Sequence, residues 1–315
     1  MSDAVGLWIL VAINLVSIAG CSCLLCRFCS LPQHILQRLF PRQLWHLSVA
    51  DLAFCIGSII NAIIEFGGVL KWLPDRTGEP ICHYQLIIPV CSGLASGSFE
   101  LHIAVSFALV HFRCLQTLKV VNRLLIFIWP VCIILGVIDV FEFDSFSKIM
   151  KICVTARGDY LLSSVIVFEF VVSCFAYITV LVGSLTCLSR SPLSVHTKMW
   201  RRTLWYPMNF FVTYGLMFVY LLFPDKMLNL SGYLQAAWVM VSLNGCLNYL
   251  TYAYNTRYAQ RESALRHGNG EERSDHISPT STPEQDLFGI ASFHVAFASE
   301  HSSRSVVGNS LVSAS

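Results

Sequence analysis

The sequence predicts an all-α membrane protein: a seven-transmembrane helix bundle followed by a disordered C-terminal tail. Three observations carry that expectation. Of the 315 residues, 55% are apolar and 13% charged, with a mean hydropathy of +0.61, a balance suited to lipid rather than water as solvent. Seven stretches stay apolar over the roughly 20 residues a helix needs to cross a bilayer. The connections between them alternate between basic and neutral, as loops on opposite faces of a membrane do.

In order, the stretches run at about 5–26, 44–66, 82–111, 124–141, 160–188, 203–223 and 232–254. No small-residue cleavage site follows a short apolar core in the first, so it is expected to remain as an anchor. Connection one carries Arg27, Arg38 and Arg42, connection three Arg113, Lys119 and Arg123, and connection five Arg190, Lys198, Arg201 and Arg202, with no acid among them. Connections two, four and six balance instead: Lys71 and Arg76 against Asp75 and Glu79, Lys148, Lys151 and Arg157 against Glu142, Asp144 and Asp159, and Lys226 against Asp225. Basic loops stay cytoplasmic. That orientation puts the N-terminus outside and the tail inside, in a chain expected at the plasma membrane. From Arg257 the composition turns charged and rich in Ser, Thr, Gly and Pro, as in "HGNGEERSDHISPTSTPEQD", too polar to bury a core of its own. The expected division is a helical domain over 1–256 and a cytoplasmic tail over 257–315.

Cysteine placement tests the orientation separately. Of 13 cysteines, only Cys82 and Cys153 fall at or in segments expected on the oxidising side, where two thiols should pair. The bridge would close a loop of about 70 residues over the helix mouths, worth about 4 kcal/mol in a chain-entropy picture. The denser "CSCLLCRFC", with Cys21, Cys23, Cys26 and Cys29, has no histidine or second cysteine pair to complete a metal site. Reversible palmitoylation of Cys26 or Cys29 at the inner interface suits its position better.

Seven spans in this orientation, the cysteine pair, "LSVADLAF" in span two and "LNGCLNYLTYAYN" closing span seven together resemble a G-protein-coupled receptor. The nearest pattern is similar to the cyclic-AMP-receptor-like group. In that group span six opens with a basic residue before Tyr-Pro, here "RRTLWYPMNFF", and span seven carries Gly-x-x-Asn-x-x-x-Tyr, here Gly245, Asn248 and Tyr252. The Asp-Arg-Tyr triplet and the span-seven Asn-Pro of rhodopsin-like receptors are absent; span three ends in "VSFALVHFRCL".

The resemblance implies a receptor that senses an extracellular small molecule and activates a heterotrimeric G protein by movement of span six. It also sets span two beside span seven. Asp51, a carboxylate that hydrocarbon would penalise by a few kcal/mol, would then meet the stripe of Asn244, Asn248 and Tyr252, which recur along one helix face. Asn14 of span one could join them. Such a group is either a polar switch, with water or sodium as further partners, or a static cluster that fixes packing. Pro207 would kink span six at its cytoplasmic end. Arg113, Arg201 and Arg202 lie where a G protein would couple, the last two just before that kink. Glu65, Asp139 and Glu169 are placed to reach a ligand entering from outside, whereas Glu100 and His102 belong to the inner half of span three and are not expected to do so. The few residues ahead of span one favour a ligand that enters the bundle. Asn229 begins an Asn-Leu-Ser sequon in the last outer loop. In the tail, Ser274, Ser278, Thr280, Ser281 and Thr282 are candidate phosphorylation sites for an arrestin-like adaptor.

Other classes fit less well. A retinal pump needs a span-seven lysine, and 232–254 has none. A seven-span small-solute transporter finds support only in "SLPQ" at 30–33, without a second repeat. His46 near Asp51 invites an intramembrane zinc hydrolase, but zinc needs three protein ligands and an open position. The expectation is therefore no enzyme, no metal or other cofactor and no nucleic acid, with the G protein, the ligand and membrane lipid as partners.

Overall fold

In a computed structural model, the described residues are 3–31, 33–36, 39–66, 75–147, 152–155, 160–187, 193–228, 230 and 232–256. The chain falls into two compact units, Met1–Leu250 and Thr251–Ser315. The expected tail and Asn229 lie outside the described residues, as do the side chains of Glu65, Arg201 and Arg202.

Among its described residues, the first unit is helical apart from one hairpin and short turns. Its elements are α1 (Asp3–Cys29), α2 (Gln33–Leu36), α3 (Leu39–Phe66), α4 (Asp75–His111) and α5 (Leu115–Phe143), then β1 (Asp144–Ser147) and β2 (Ile152–Thr155). There follow α6 (Tyr160–Cys187), α7 (Leu193–Leu222), α8 (Pro224–Leu228) and α9 (Tyr233–Ser242). After Leu243 the helix resumes over 244–250 (α10). In the second unit, residues 251–256 are helical, with Thr256 Oγ1 donating to the Tyr252 carbonyl at 2.8 Å.

Five helices are long and apolar enough to cross a membrane: Gly6–Cys29, Leu39–Ile64, Pro80–His111, Gln116–Glu142 and Leu162–Gly183. The architecture is that of a multi-pass membrane protein. Five rather than seven meet that measure among the described residues, and the two remaining segments show why. α7 starts in a basic stretch and carries Pro207, Asn209, Thr213 and Tyr214 along its course. The last apolar segment is interrupted at Leu243, so α9, ten residues and about 15 Å long, cannot cross alone.

The interior mixes polar with apolar side chains, and large apolar side chains also face outward. Asn14, Ser17, Asp51, Ser96, Glu100, Asn244 and Asn248 lie inside, while Trp8, Ile126, Phe168 and Phe175 face outward. Lipid solvates apolar side chains as well as a protein core does, so packing and polar contacts decide what faces inward. α4 is the central helix, packed against α3, α5 and α6, with α1 on the far side of α3 and α7 against α9. Phe99 of α4 locks three helices: it stacks on His46 of α3 at 5.4 Å and meets Trp129 of α5 edge-on at 5.7 Å, and Trp129 Nε1 donates to His46 Nδ1 at 3.2 Å.

Two connections explain their own geometry. At the end of α4, Arg113 adopts φ 57°. Cys114 N–H reaches back to the Leu109 carbonyl at 2.9 Å and Arg113 N–H to Val110 at 3.1 Å, the paired bonds that stop a helix through a left-handed residue. At the other end, β1 and β2 pair antiparallel, with Phe146 opposite Cys153. Cys153 is joined to Cys82 by a disulfide, with Cα atoms 5.6 Å apart. The hairpin is thereby tied to the start of α4.

Candidate functional site

The most polar point of the interior forms around Asp51 on α3, which is 4% exposed. Its neighbours come from three other helices. Ser96 Oγ of α4 donates to Asp51 Oδ1 at 2.6 Å. Asn244 Nδ2 of α10 spans both carboxylate oxygens at 3.1 and 3.2 Å. Asn248 Nδ2, one turn on, reaches Asp51 Oδ2 and Glu100 Oε1 of α4, each at 3.4 Å. Tyr214 of α7 closes the ring, its hydroxyl 2.9 Å from Ser96 Oγ. Since the single Ser96 proton points at Asp51, the phenol donates and Ser96 accepts.

The break at Leu243 brings these groups together. In an unbroken helix the Cys246 N–H would bond the Ser242 carbonyl. Here Cys246 N–H donates to Ser17 Oγ of α1 at 3.2 Å, and the Ser242 carbonyl accepts Cys55 Sγ of α3 at 3.8 Å. Side chains from two neighbours thus take both ends of one missing rung, a recognised cause of helix interruption. Asp51 faces the first turn of the resumed helix, whose positive end favours a carboxylate. Gly245 permits the approach, because a Cβ there would collide with Cys21 Sγ and lie 2.8 Å from Ser17 Oγ. Gly20 does the same from α1, where a Cβ would come within 3.0 Å of the Cys246 backbone.

α7 joins this centre near its proline. Asn209 Nδ2, two residues past Pro207, donates to the Leu247 carbonyl at 3.1 Å. On the opposite flank, Phe170 of α6 stacks on Phe210 and Phe218 at 5.1 and 4.1 Å. Just before the proline, Tyr206 packs on Phe40 of α3, with centroids 5.2 Å apart, and near Phe107 of α4 at 6.1 Å. The middle of α7 is therefore held by aromatic contacts on both sides of Pro207 and by the Asn209 amide.

A second buried cluster lies further along α4. His102 Nε2 is 2.8 Å from the Val121 carbonyl, which can only accept, so the ring proton sits on Nε2 and Nδ1 is bare. Gln43 Nε2 of α3 donates to that Nδ1 at 2.6 Å and to Ser106 Oγ at 2.8 Å. Ser106 in turn donates to the His102 carbonyl at 2.7 Å. The chain of donors is closed and admits one tautomer.

The sequence-derived candidates meet different fates. Asp51, Asn244 and Asn248 come together as expected from their positions. Asn14 is buried but donates within its own helix, to the Leu10 carbonyl at 2.9 Å; Ser17, a turn later, makes the α1 contact instead. Tyr252 is buried and belongs to the second unit. Pro207 lies inside α7. Arg113 is the residue that ends α4. Glu169 accepts a hydrogen bond from Ser98 Oγ, about 24 Å along α4 from Cys82. Asp139 is buried on α5, a turn from Gly136, where a Cβ would lie 3.0 Å from the Cys91 backbone of α4. Ser96, Tyr214 and Glu100 are site residues that sequence reasoning missed. Ser96 and Glu100 stand one turn apart, and Tyr214 stands two turns after Pro207, a spacing legible once Asp51 is taken as the target. Neither models of known protein families nor curated proteins match the chain.

Proposed function

We propose that the chain is a seven-helix receptor of the G-protein-coupled kind, nearest the cyclic-AMP-receptor-like group, with its N-terminus outside and tail inside the plasma membrane. α7 and the broken segment formed by α9 and α10 serve as its sixth and seventh spans. A small extracellular ligand entering the bundle shifts α7, and a heterotrimeric G protein reads that shift at the inner face. The observation that carries the reading is the Asp51 carboxylate shared among Ser96, Asn244 and Asn248, with Tyr214 hydrogen-bonded to Ser96. One such centre couples α3, α4, α7 and an interrupted last helix, so a displacement of any member redistributes hydrogen bonds in the others. The ligand couples through Tyr214 and Asn209, and Glu65 and Asp139 are the acids offered to it, Glu169 being held by Ser98 near the depth of Glu100. At the inner face, release of Tyr206 from Phe40 and Phe107 lets α7 swing about Pro207, carrying Arg201 and Arg202 to a cleft bordered by Arg113. Phosphorylation of the tail then recruits an arrestin-like adaptor.

A ligand-independent experiment tests this. Tyr206→Ala removes the aromatic hold on α7, so the full chain in lipid nanodiscs should accelerate nucleotide exchange on a purified heterotrimeric G protein several-fold over wild type. Adding Arg201→Ala and Arg202→Ala should return the rate to that of empty nanodiscs. Absence of acceleration across representatives of every Gα class would overturn the reading, and solute uptake by proteoliposomes that requires Asp51 would replace it with a transporter.

A further inference from the structure

The cysteines at the two ends of α4 lie on opposite sides of the membrane. Cys82 stands near the start of α4 and Cys114 just past its end, about 48 Å apart along the helix, well beyond the roughly 30 Å of a hydrocarbon core. Cys82 is oxidised in its bridge to Cys153, whereas Cys114 is a free, exposed thiol. The bridge marks its face as the oxidising one, and Cys114 lies on the opposite face. Because α1, α3 and α4 cross in succession, the end of α1 lies on the same face as Cys114.

That end carries Cys23, Cys26 and Cys29, all exposed and all free. Cys21, Cys55, Cys91 and Cys132, by contrast, are buried. Cys21 packs against the Gly245 approach and so serves the helix contact. The exposed three serve no packing of that kind. Arg27 lies between Cys26 and Cys29 in the last turns of α1, and an arginine at a helix end holds its guanidinium at the head-group level. The two flanking thiols consequently sit at the boundary of lipid and cytoplasm, while Cys23 lies about 4.5 Å deeper. Ser30 finishes the helix, its hydroxyl donating to the Arg27 carbonyl at 2.7 Å, so the level of this turn is set by the fold.

We propose that Cys26 and Cys29 are S-acylated. The acyl donor is a long-chain fatty acyl-coenzyme A. The cysteine thiolate attacks the thioester carbonyl, a carbon–sulfur bond forms to the protein, the carbon–sulfur bond to coenzyme A breaks, and the coenzyme A thiolate takes up the proton the cysteine gave. No electrons are transferred overall, and hydrolysis of the protein thioester by water returns the thiol and releases the fatty acid. A thiol at the interface meets both the membrane-dissolved acyl chain and the water-borne leaving group, and the attached chain continues into lipid beside α1. The inference rests on the alternating passage of the helices and not on coupling to a G protein.

Thioester-specific mass tagging of the full chain in cell membranes tests it. Free thiols are blocked, thioesters are cleaved with hydroxylamine, and each newly exposed thiol is coupled to a polyethylene glycol maleimide. The wild type should gain two increments only after hydroxylamine, Cys26→Ser and Cys29→Ser one each, and the double variant none, while Cys114→Ser keeps both. Mobility without reductant reports whether the Cys82–Cys153 bridge survives in each variant. A wild-type chain with no hydroxylamine-dependent increment overturns the proposal independently of any variant, and so does a double variant that retains two.

Discussion

Two buried polar clusters hang from the same helix, and they are built on opposite rules. Around His102 every donor has an acceptor: the ring proton goes to Val121, the Gln43 amide to His102 and Ser106, and the Ser106 hydroxyl to the His102 carbonyl. Around Asp51 the donors converge on carboxylates, and the Asn244 and Asn248 Oδ1 atoms are left without a hydrogen bond among the described residues. The first cluster has one arrangement. The second has spare acceptors, two carboxylates sharing Asn248, and an interrupted helix at its edge. A closed network rigidifies, while an open one can be redrawn at little cost. The difference separates a closed cluster from one whose hydrogen bonds have room to rearrange.

The largest expected effect falls on the closed cluster. His102→Leu removes the donor to the Val121 carbonyl and one acceptor of the buried Gln43 amide and should lower the unfolding free energy by about 2 kcal/mol. Thermal inactivation of the detergent-solubilised chain would record this as a clear drop in midpoint. Asp51→Asn should behave differently. It keeps the shape, removes a buried charge and leaves an amide that still accepts from Ser96, so stability should stay within about 1 kcal/mol of wild type. G-protein nucleotide exchange driven by Tyr206→Ala should nevertheless fall. A destabilisation as large as that of His102→Leu would make the Asp51 cluster a second closed one. The smallest effect is expected from Ser17→Ala, which deprives Cys246 N–H of its acceptor. The rung from Cys246 to Ser242 can then re-form, limiting the loss to about 0.5–1 kcal/mol. Amide exchange at Cys246 should not accelerate; faster exchange would mean that the interruption at Leu243 is fixed by something other than these side chains.

Much of this was legible in the sequence, for a physical reason. An apolar run and a loop charge are local properties, so the five long helices and the location of the two bridging cysteines could be read directly. Asp51, Asn244 and Asn248 stood out because polar groups in hydrocarbon are expensive and must find one another. Ser96 and Tyr214 carried no such signal, since a serine or tyrosine is tolerated on many membrane helix faces. Glu100 was visible as a buried acid but was assigned by its depth alone, while its partner is decided by rotation about α4. The break at Leu243 was illegible: no proline marks it, and the side chains that meet its exposed backbone groups, Ser17 and Cys55, reside on other helices. Arg113 was read for its charge, whereas its φ of 57° gives it a backbone task that any sequence rule would assign to glycine first.

The length of α4 has one more consequence. Its 37 residues extend about 55 Å, against a hydrocarbon core of roughly 30 Å, and its apolar part alone, Pro80–His111, exceeds that thickness. The helix must stand obliquely or protrude, and its inclination follows the lipid around it. Ser96, Glu100, His102 and Ser106 all ride on this one shaft, so any change of slope alters the height at which Ser96 meets Asp51. Membranes of different thickness would thus favour different inclinations of this one shaft.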